Sequence, residues 1–401
     1  MAKKKTKKSS SKKKDDQIVL SQSGDIDQLR SKINDRYKTE VAPSVVEKPI
    51  IVMPGGILSL DLAVGNGGLV AGRVLDIFGW EGTGKTLLCL AIAGYIQRCT
   101  KIDSNGNTVN RVVAMLDAEG TFSKAFADSA GVDTENLILI QSTPDKILSG
   151  EDFFDILTVL VGSGVDYIIV DSCPALVPTT VIQGDTGEGR LASQAQLMSM
   201  GLSKNTPLIN ACGQTLVHFV NQMRGKPMDL YKTEQETGGN ALKFYSSYRF
   251  RVVRADDIIK KVLGADGVYR EKKVGVTSCV RIIKNKTAPI PAYIPSTTYH
   301  FEFDVYFEEF IDETGIAYTR GVDVVKDYCE TGIRTGVIEQ KGSWFNFGNI
   351  KGQGRDDLYM KVRSNPQVMA DIRDQVFAKM GGVPTSATES MLSDNEEVEM
   401  A

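Results

Sequence analysis

The octapeptide GWEGTGKT, residues 79–86, decides the reading of this chain. It fits G-x-x-x-x-G-K-[ST], the phosphate-binding loop. RVLDIF (73–78) before it reads as a buried strand, and LLCLAIAGYIQ (87–97) after it as an apolar helix. Strand, glycine-rich loop, helix is the context that the motif requires. Gly79, Gly82 and Gly84 let the backbone, through Glu81 and Thr83, wrap closely round a phosphate, and the amides at the helix start point at the anion. In that frame Lys85 reaches the β- and γ-phosphates of ATP and Thr86 holds Mg²⁺.

The 401 residues suffice for one large α/β domain and a smaller one. No apolar run approaches a membrane span, and the basic N-terminus is not followed by the apolar stretch of a signal peptide. The net charge of −3 hides an uneven spread. Residues 1–14 (MAKKKTKKSSSKKK) carry eight Lys and no acid, whereas 389–401 carry Glu389, Asp394, Glu396, Glu397 and Glu399 and no base. The body between them is mildly acidic, so a nucleic-acid site must be local rather than a broad basic face. Cys89, Cys99, Cys173, Cys212, Cys279 and Cys329 show no paired spacing and there are two His, which argues against zinc and for reduced thiols in the cytoplasm.

Residues 1–16 and 382–401 are low-complexity and expected to be disordered. Residues 17–54 read as an N-terminal element with Ile26, Leu29 and Ile33 at helical spacing. From 55 to 324, strands alternate with helices: RVLDIF, VVAMLDAE (112–119), NLILIQS (136–142), DYIIVDS (166–172) and TLVHFVNQ (215–222), with helices at 153–162 and around 194–202. That alternation predicts a mostly parallel sheet covered on both faces. KFYSSYRFRVV (243–253) and TSCVRIIKN (277–285) read as antiparallel additions at one edge. Residues 325–381, short helices and a WFNF turn region, read as a small C-terminal domain. No internal repeat is present.

Asp171 ends the run YIIVD, at the ligand edge of the sheet, and is the expected partner of Mg²⁺ beside Thr86. Glu119 ends MLDAE, where a carboxylate can orient or deprotonate the attacking water. Asp117, two residues earlier, shares its face on a strand, so spacing leaves either as the base. Gln222 ends TLVHFVNQ, where an amide can sense the γ-phosphate. His218 in the same strand reads as a core residue. The polar segments at 223–240 and 183–190 read as functional loops, although their charges nearly cancel.

Together these residues resemble the RecA-type homologous recombinases. The likeness runs through GILSLDLAVGNGGLVAGRVLDIFGWEGTGKT (56–86), DAEG, GVD (131–133), YIIVDS and NQMR (221–224). It continues through TGGNALKFYSSYR (237–249), KNK (284–286) and GSWFNFGNIKGQGR (342–355). It implies a RecA-type P-loop ATPase core with a mostly parallel central sheet, an N-terminal oligomerisation element and a small C-terminal α/β domain. It implies a helical filament on single-stranded DNA that pairs it with homologous double-stranded DNA and turns over ATP. By this likeness Glu119 is the catalytic carboxylate, Lys85 and Gln222 act with it, and Phe126 stacks on adenine. Lys284 and Lys286 reach ATP on the neighbouring subunit. Residues 183–190 and 223–240 become the DNA loops, with Arg190, Arg224, Lys226, Gly238 and Gly239 as DNA contacts. Gln196 stands where the family has a basic residue, the second loop is about one residue shorter than the common bacterial form, and the lysine tail is unusual. Such departures fit a divergent member, of the kind a phage encodes. Rival readings are a hexameric helicase of the same ATPase class and a small-molecule P-loop kinase. TGGNALKFY and the domain after 325 argue against the helicase.

Overall fold

The structure, a computed structural model, describes residues 23–41, 50–103, 105–184, 190–225, 234–264, 266–289 and 300–380. Both charged tails, Lys226, and residues 185–189 and 226–233 of the two expected loops lie outside these residues. The chain divides into two units, residues 1–49 and 50–401. In the first, the helix Ser23–Tyr37 carries an Arg30–Asp27 ion pair one turn apart at 2.9 Å. Ile26, Leu29 and Ile33 share one of its faces, and Ile26 is exposed.

The second unit is organised by a ten-stranded sheet. The strand Arg73–Gly79 lies near its middle, between Leu216–Gly225 and Tyr248–Leu263, and runs parallel to both. Beyond Leu216–Gly225 follow Tyr167–Asp171, Val113–Asp117 and Leu137–Ile140, again parallel. Beyond Tyr248–Leu263 the order turns antiparallel through Tyr269–Asn285, His300–Tyr306 and Gly321–Val322. Side-chain alternation splits the core in two. Leu75, Ile77, Ile169 and Val220 pack under the helix Lys85–Arg98, while Val74, Ile168, Val217 and Phe219 pack with Phe154, Leu157 and Leu202 on the other face. The helix Gly150–Gly162 on that second face starts with a capping box between Ser149 and Asp152.

A third core joins Leu58 and Leu62 to Tyr328, Phe345, Leu358 and Ile372 of the C-terminal segment. That segment has helices Val324–Arg334, Arg355–Arg363 and Pro366–Met380 round a small antiparallel sheet. Among the described residues no helix is long and apolar enough to cross a membrane.

Four local expectations are corrected. Residues 241–245 form a short helix, not a strand, and Tyr248–Leu263 pairs parallel to the P-loop strand, from Tyr248 opposite Leu75. A parallel neighbour needs a crossover, and this helix ends it. The strand Val113–Asp117 stops before Glu119, because the Asp117 carboxylate accepts the amides of Glu119, Gly120 and Phe122 and turns the chain out of the ladder. The strand through Gln222 continues to Gly225 and pairs with Glu234–Glu236. Finally, WFNF is the central strand of the C-terminal sheet, with Phe345 and Phe347 buried and Trp344 exposed.

His218 is fully buried in its strand. Its Nδ1 lies 2.6 Å from the Tyr167 hydroxyl and 3.7 Å from the Cys89 sulfur, and its Nε2 has no partner. Burial pushes its pKa down from the usual 6.5 to about 3. The unfolded chain therefore binds a proton below about pH 6.5 that the native state refuses until about pH 3. The contribution of His218 is full above that window and falls with pH through it, by up to about 1.4 kcal/mol per unit. Buried Asp61, Asp76 and Asp327, whose pKa values are raised, act in the opposite sense. Comparison with His218→Leu isolates the histidine. The variant, which strands the Tyr167 hydroxyl, should be less stable at pH 7 and lose less stability between pH 6 and 4 in urea titrations. Parallel stability curves would contradict this.

Candidate nucleotide-binding site

The P-loop strand ends at Gly79, where any Cβ would come within 2.3 Å of the Val252 carbonyl oxygen of the neighbouring strand. Close strand packing therefore requires glycine before the loop turns. At its far end Gly84 takes φ +90°, a left-handed conformation, and caps the helix Lys85–Arg98. The loop is braced from within: the Thr83 hydroxyl and Lys85 Nζ donate to the Trp80 carbonyl at 2.8 and 2.7 Å. Lys85 is buried, and burial pushes its pKa down against the raising effect of Asp171 and Glu119.

Opposite the loop stand the strand-end carboxylates. The Thr86 hydroxyl donates to Asp171 Oδ2 at 2.7 Å. Burial, with the charges of Glu119 and Asp117, lifts the Asp171 pKa to about 6 although the Thr86 bond opposes this. Glu119 Oε1 accepts from the Ser172 hydroxyl and from Gln222 Nε2, the latter at 3.2 Å. Asp117 instead faces its own turn and accepts Gln141 Nε2 at 2.7 Å. The expectation that Asp117 and Glu119 share a face fails because Glu119 lies beyond the strand.

Lys85, Thr86, Asp171, Glu119 and Gln222 line one cavity of about 440 Å³ together with Glu81, Gly82, Gly84 and Phe126, and Asp117 stays outside it. Arg320, from the far side of the antiparallel edge, closes it and lies over the Phe126 ring at 5.4 Å. No local pattern marks Arg320 or Gln141. Ser172 was legible as the residue after Asp171 in YIIVDS, but not its bond to Glu119. The donor set fits the expected ligands: hydroxyl and carboxylate oxygens at Thr86 and Asp171 suit a hard cation, and Lys85 with the helix amides suits phosphate.

Other expected residues lie elsewhere. Lys284 Nζ donates to the Lys243 carbonyl at 2.6 Å, beside Lys286, and neither borders the cavity. Lys286 stands past the end of its strand, so the alternation expected of KNK does not hold there, although its amide still bonds Ser247. Arg224 is exposed on the strand beyond Gln222. Gly238 and Gly239, with φ +78° and +76°, pack near Met198 and Ala195. Arg190 begins the helix Arg190–Cys212, and its side chain lies outside the described residues. One buried network connects these parts to the P-loop. Arg249 donates to Asp76 of the P-loop strand at 2.8 Å and to Glu236 of the returning hairpin at 2.6 Å. Burial raises Asp76 to about 6 despite Arg249, and its Oδ1 has no partner.

Comparison with known proteins accords with this arrangement. The family model described as RecA N-terminal domain matches residues 28–311, and the RecA C-terminal domain matches residues 327–381. The chain is 36% identical over 346 residues to a Protein RecA of Thermus thermophilus, covering 86% of this chain and 89% of that one. It is 37% identical over 337 residues to Protein RecA of Bdellovibrio bacteriovorus, covering 83% and 78%. With Protein RecA of Cytophaga hutchinsonii it shares 33% over 376 residues, covering 92% and 94%. A match through both domains disfavours the ring helicase and the small-molecule kinase. The chain belongs to the RecA family of ATP-dependent DNA recombinases and is a DNA-dependent ATPase.

Proposed function

We propose that ATP binds in the P-loop cavity with Mg²⁺ between Thr86 and Asp171, and that Glu119 activates the attacking water. Gly79, Glu81, Gly82, Thr83, Gly84 and Lys85 cradle the phosphates, and Phe126 offers a flat face to adenine. Single-stranded DNA is the strand on which copies of the chain assemble helically, and double-stranded DNA is the partner searched for homology. Arg190, Arg224, Lys226, Gly238 and Gly239 hold DNA mainly through its backbone, which positions without reading sequence. Residues 17–54 serve assembly, 55–324 form the ATPase core, 325–381 form the small C-terminal domain, and the tails 1–16 and 382–401 flank them. The cytoplasm keeps the six free thiols reduced.

The observation that carries this reading is the bond from Gln222 to Glu119. Gln222 stands two residues before Arg224, at the root of the hairpin closed by Glu234–Glu236. A γ-phosphate that competes for the Gln222 amide would pull on the same strand that presents Arg224. Nucleotide state and DNA grip are thereby linked through one side chain. The test is ATP turnover with and without single-stranded DNA, beside negative-stain images of the same samples. Turnover should rise with DNA and the images should show open helical filaments. Closed rings, or turnover indifferent to DNA, would overturn the reading.

A further inference from the structure

The edge ladder of Tyr269–Asn285 and His300–Tyr306 has one face in the core and one turned outward. Val276, Val280, Phe301 and Phe303 are buried, whereas Cys279 and His300 are half-buried and Glu302 is exposed. Register puts Cys279 directly opposite Glu302, and His300 opposite Arg281. His300 and Glu302 are two apart on one strand, so they share its outer face with Cys279. One ligand atom from each of Cys279, His300 and Glu302 lies within 4.8 Å of the others. His300 Nε2 is 4.0 Å from Glu302 Oε1.

We propose that Cys279, His300 and Glu302 form a three-ligand Zn²⁺ site, with water in the fourth position. Zinc binds thiolate, imidazole and carboxylate at about 2.0–2.3 Å, and tetrahedral ligands then lie about 3.3–3.8 Å apart. The remaining gap is about an ångström, and none of the three side chains is fully buried, so rotation is the movement that would close it. One sulfur, one nitrogen and one oxygen donor form the borderline-soft set that selects zinc over magnesium or calcium. On binding, the Cys279 thiol gives its proton to solvent, and thiolate, carboxylate and neutral imidazole balance the dication. Arg281, exposed on the same face, interacts with the Cys279 thiol, and the metal would displace that contact. His300 and Glu302 also line a cavity of about 470 Å³ against Lys326, Glu330, Arg334 and Arg355, which opens a path from solvent to two of the three ligands. Sequence spacing could not reveal the site, because its ligands come from two strands that meet only in the sheet.

The test uses the untagged full chain and Co²⁺ as a visible stand-in for zinc. One equivalent of Co²⁺ should give a thiolate-to-cobalt charge-transfer band, and Zn²⁺ should abolish it by displacement. Cys279→Ser should lose the band, Cys212→Ser should keep it, and His300→Ala should weaken binding by about tenfold or more. His218 cannot substitute, since it is fully buried. Should Cys279→Ser fold poorly, alkylation of the wild-type chain decides: Zn²⁺ should protect the Cys279 peptide and leave Cys212 reactive. Absence of a thiolate band, a band that survives in folded Cys279→Ser, or equal alkylation with and without zinc would overturn the site.

Discussion

Glu119→Gln is expected to slow DNA-stimulated ATP turnover by about a hundredfold or more while ATP binding changes little, the range ascribed to a positioned general base. An amide is nearly isosteric with the carboxylate, and its oxygen can still accept from Ser172 and Gln222, so the site keeps its shape. What it loses is the capacity to take a proton from water. Filaments formed with ATP should then persist longer, because the ATP state is not discharged. Asp117→Asn should behave differently. That carboxylate is buried and accepts four N–H donors, from the amides of Glu119, Gly120 and Phe122 and from Gln141. An asparagine would turn a donor toward donors, at a cost of about 1–3 kcal/mol in stability. Thermal unfolding and ATPase measured on both variants separate the two carboxylates. Wild-type turnover in Glu119→Gln would mean that the base has been assigned to the wrong residue.

That contrast shows what the sequence could carry. The P-loop was legible because its pattern is local: the glycines that shape the backbone and the lysine and threonine side chains all sit in one turn between a strand and a helix. Asp171 was legible because a carboxylate after a buried parallel strand falls at the ligand edge. Choosing Glu119 over Asp117 was beyond spacing alone, since it depends on where the strand stops, and that depends on amides turning back to Asp117. The parallel setting of Tyr248–Leu263 was hidden for a similar reason. A helix of five residues, Ala241–Tyr245, leaves almost no periodicity to read. Arg320 and the Arg249 network are long-range meetings that no window of sequence contains. His218 was readable as core, but its bond to Tyr167 appears only when the two strands lie side by side.

Mixing two defective variants should restore ATPase activity that neither has alone, if Lys284 and Lys286 act on the neighbouring subunit. Neither lysine borders the cavity of its own chain, where Lys85, Thr86, Asp171 and Glu119 already stand. Lys284 is held by the Lys243 carbonyl, and burial with the nearby Lys286 and Arg249 charges pushes its pKa down. Arg249 is already paired with Asp76 and Glu236, so the two lysines are the charges that an anion from outside the chain would offset. A γ-phosphate across a head-to-tail interface would be such an anion, and positive charge supplied in trans stabilises phosphoryl transfer. Protomers with Lys284→Ala and Lys286→Ala keep their own P-loop, while Lys85→Ala protomers keep the lysine pair. In a random equal mixture about a quarter of head-to-tail interfaces would join an intact P-loop to an intact pair. ATPase in the mixture should therefore approach about a quarter of wild type, though each variant alone falls far below that. Interfaces are random only within shared filaments, so co-assembly has to be demonstrated by labelling each variant. Given shared filaments, a mixture no more active than its components would place the lysines in service of their own subunit's fold, where the bond from Lys284 to the Lys243 carbonyl already gives them work.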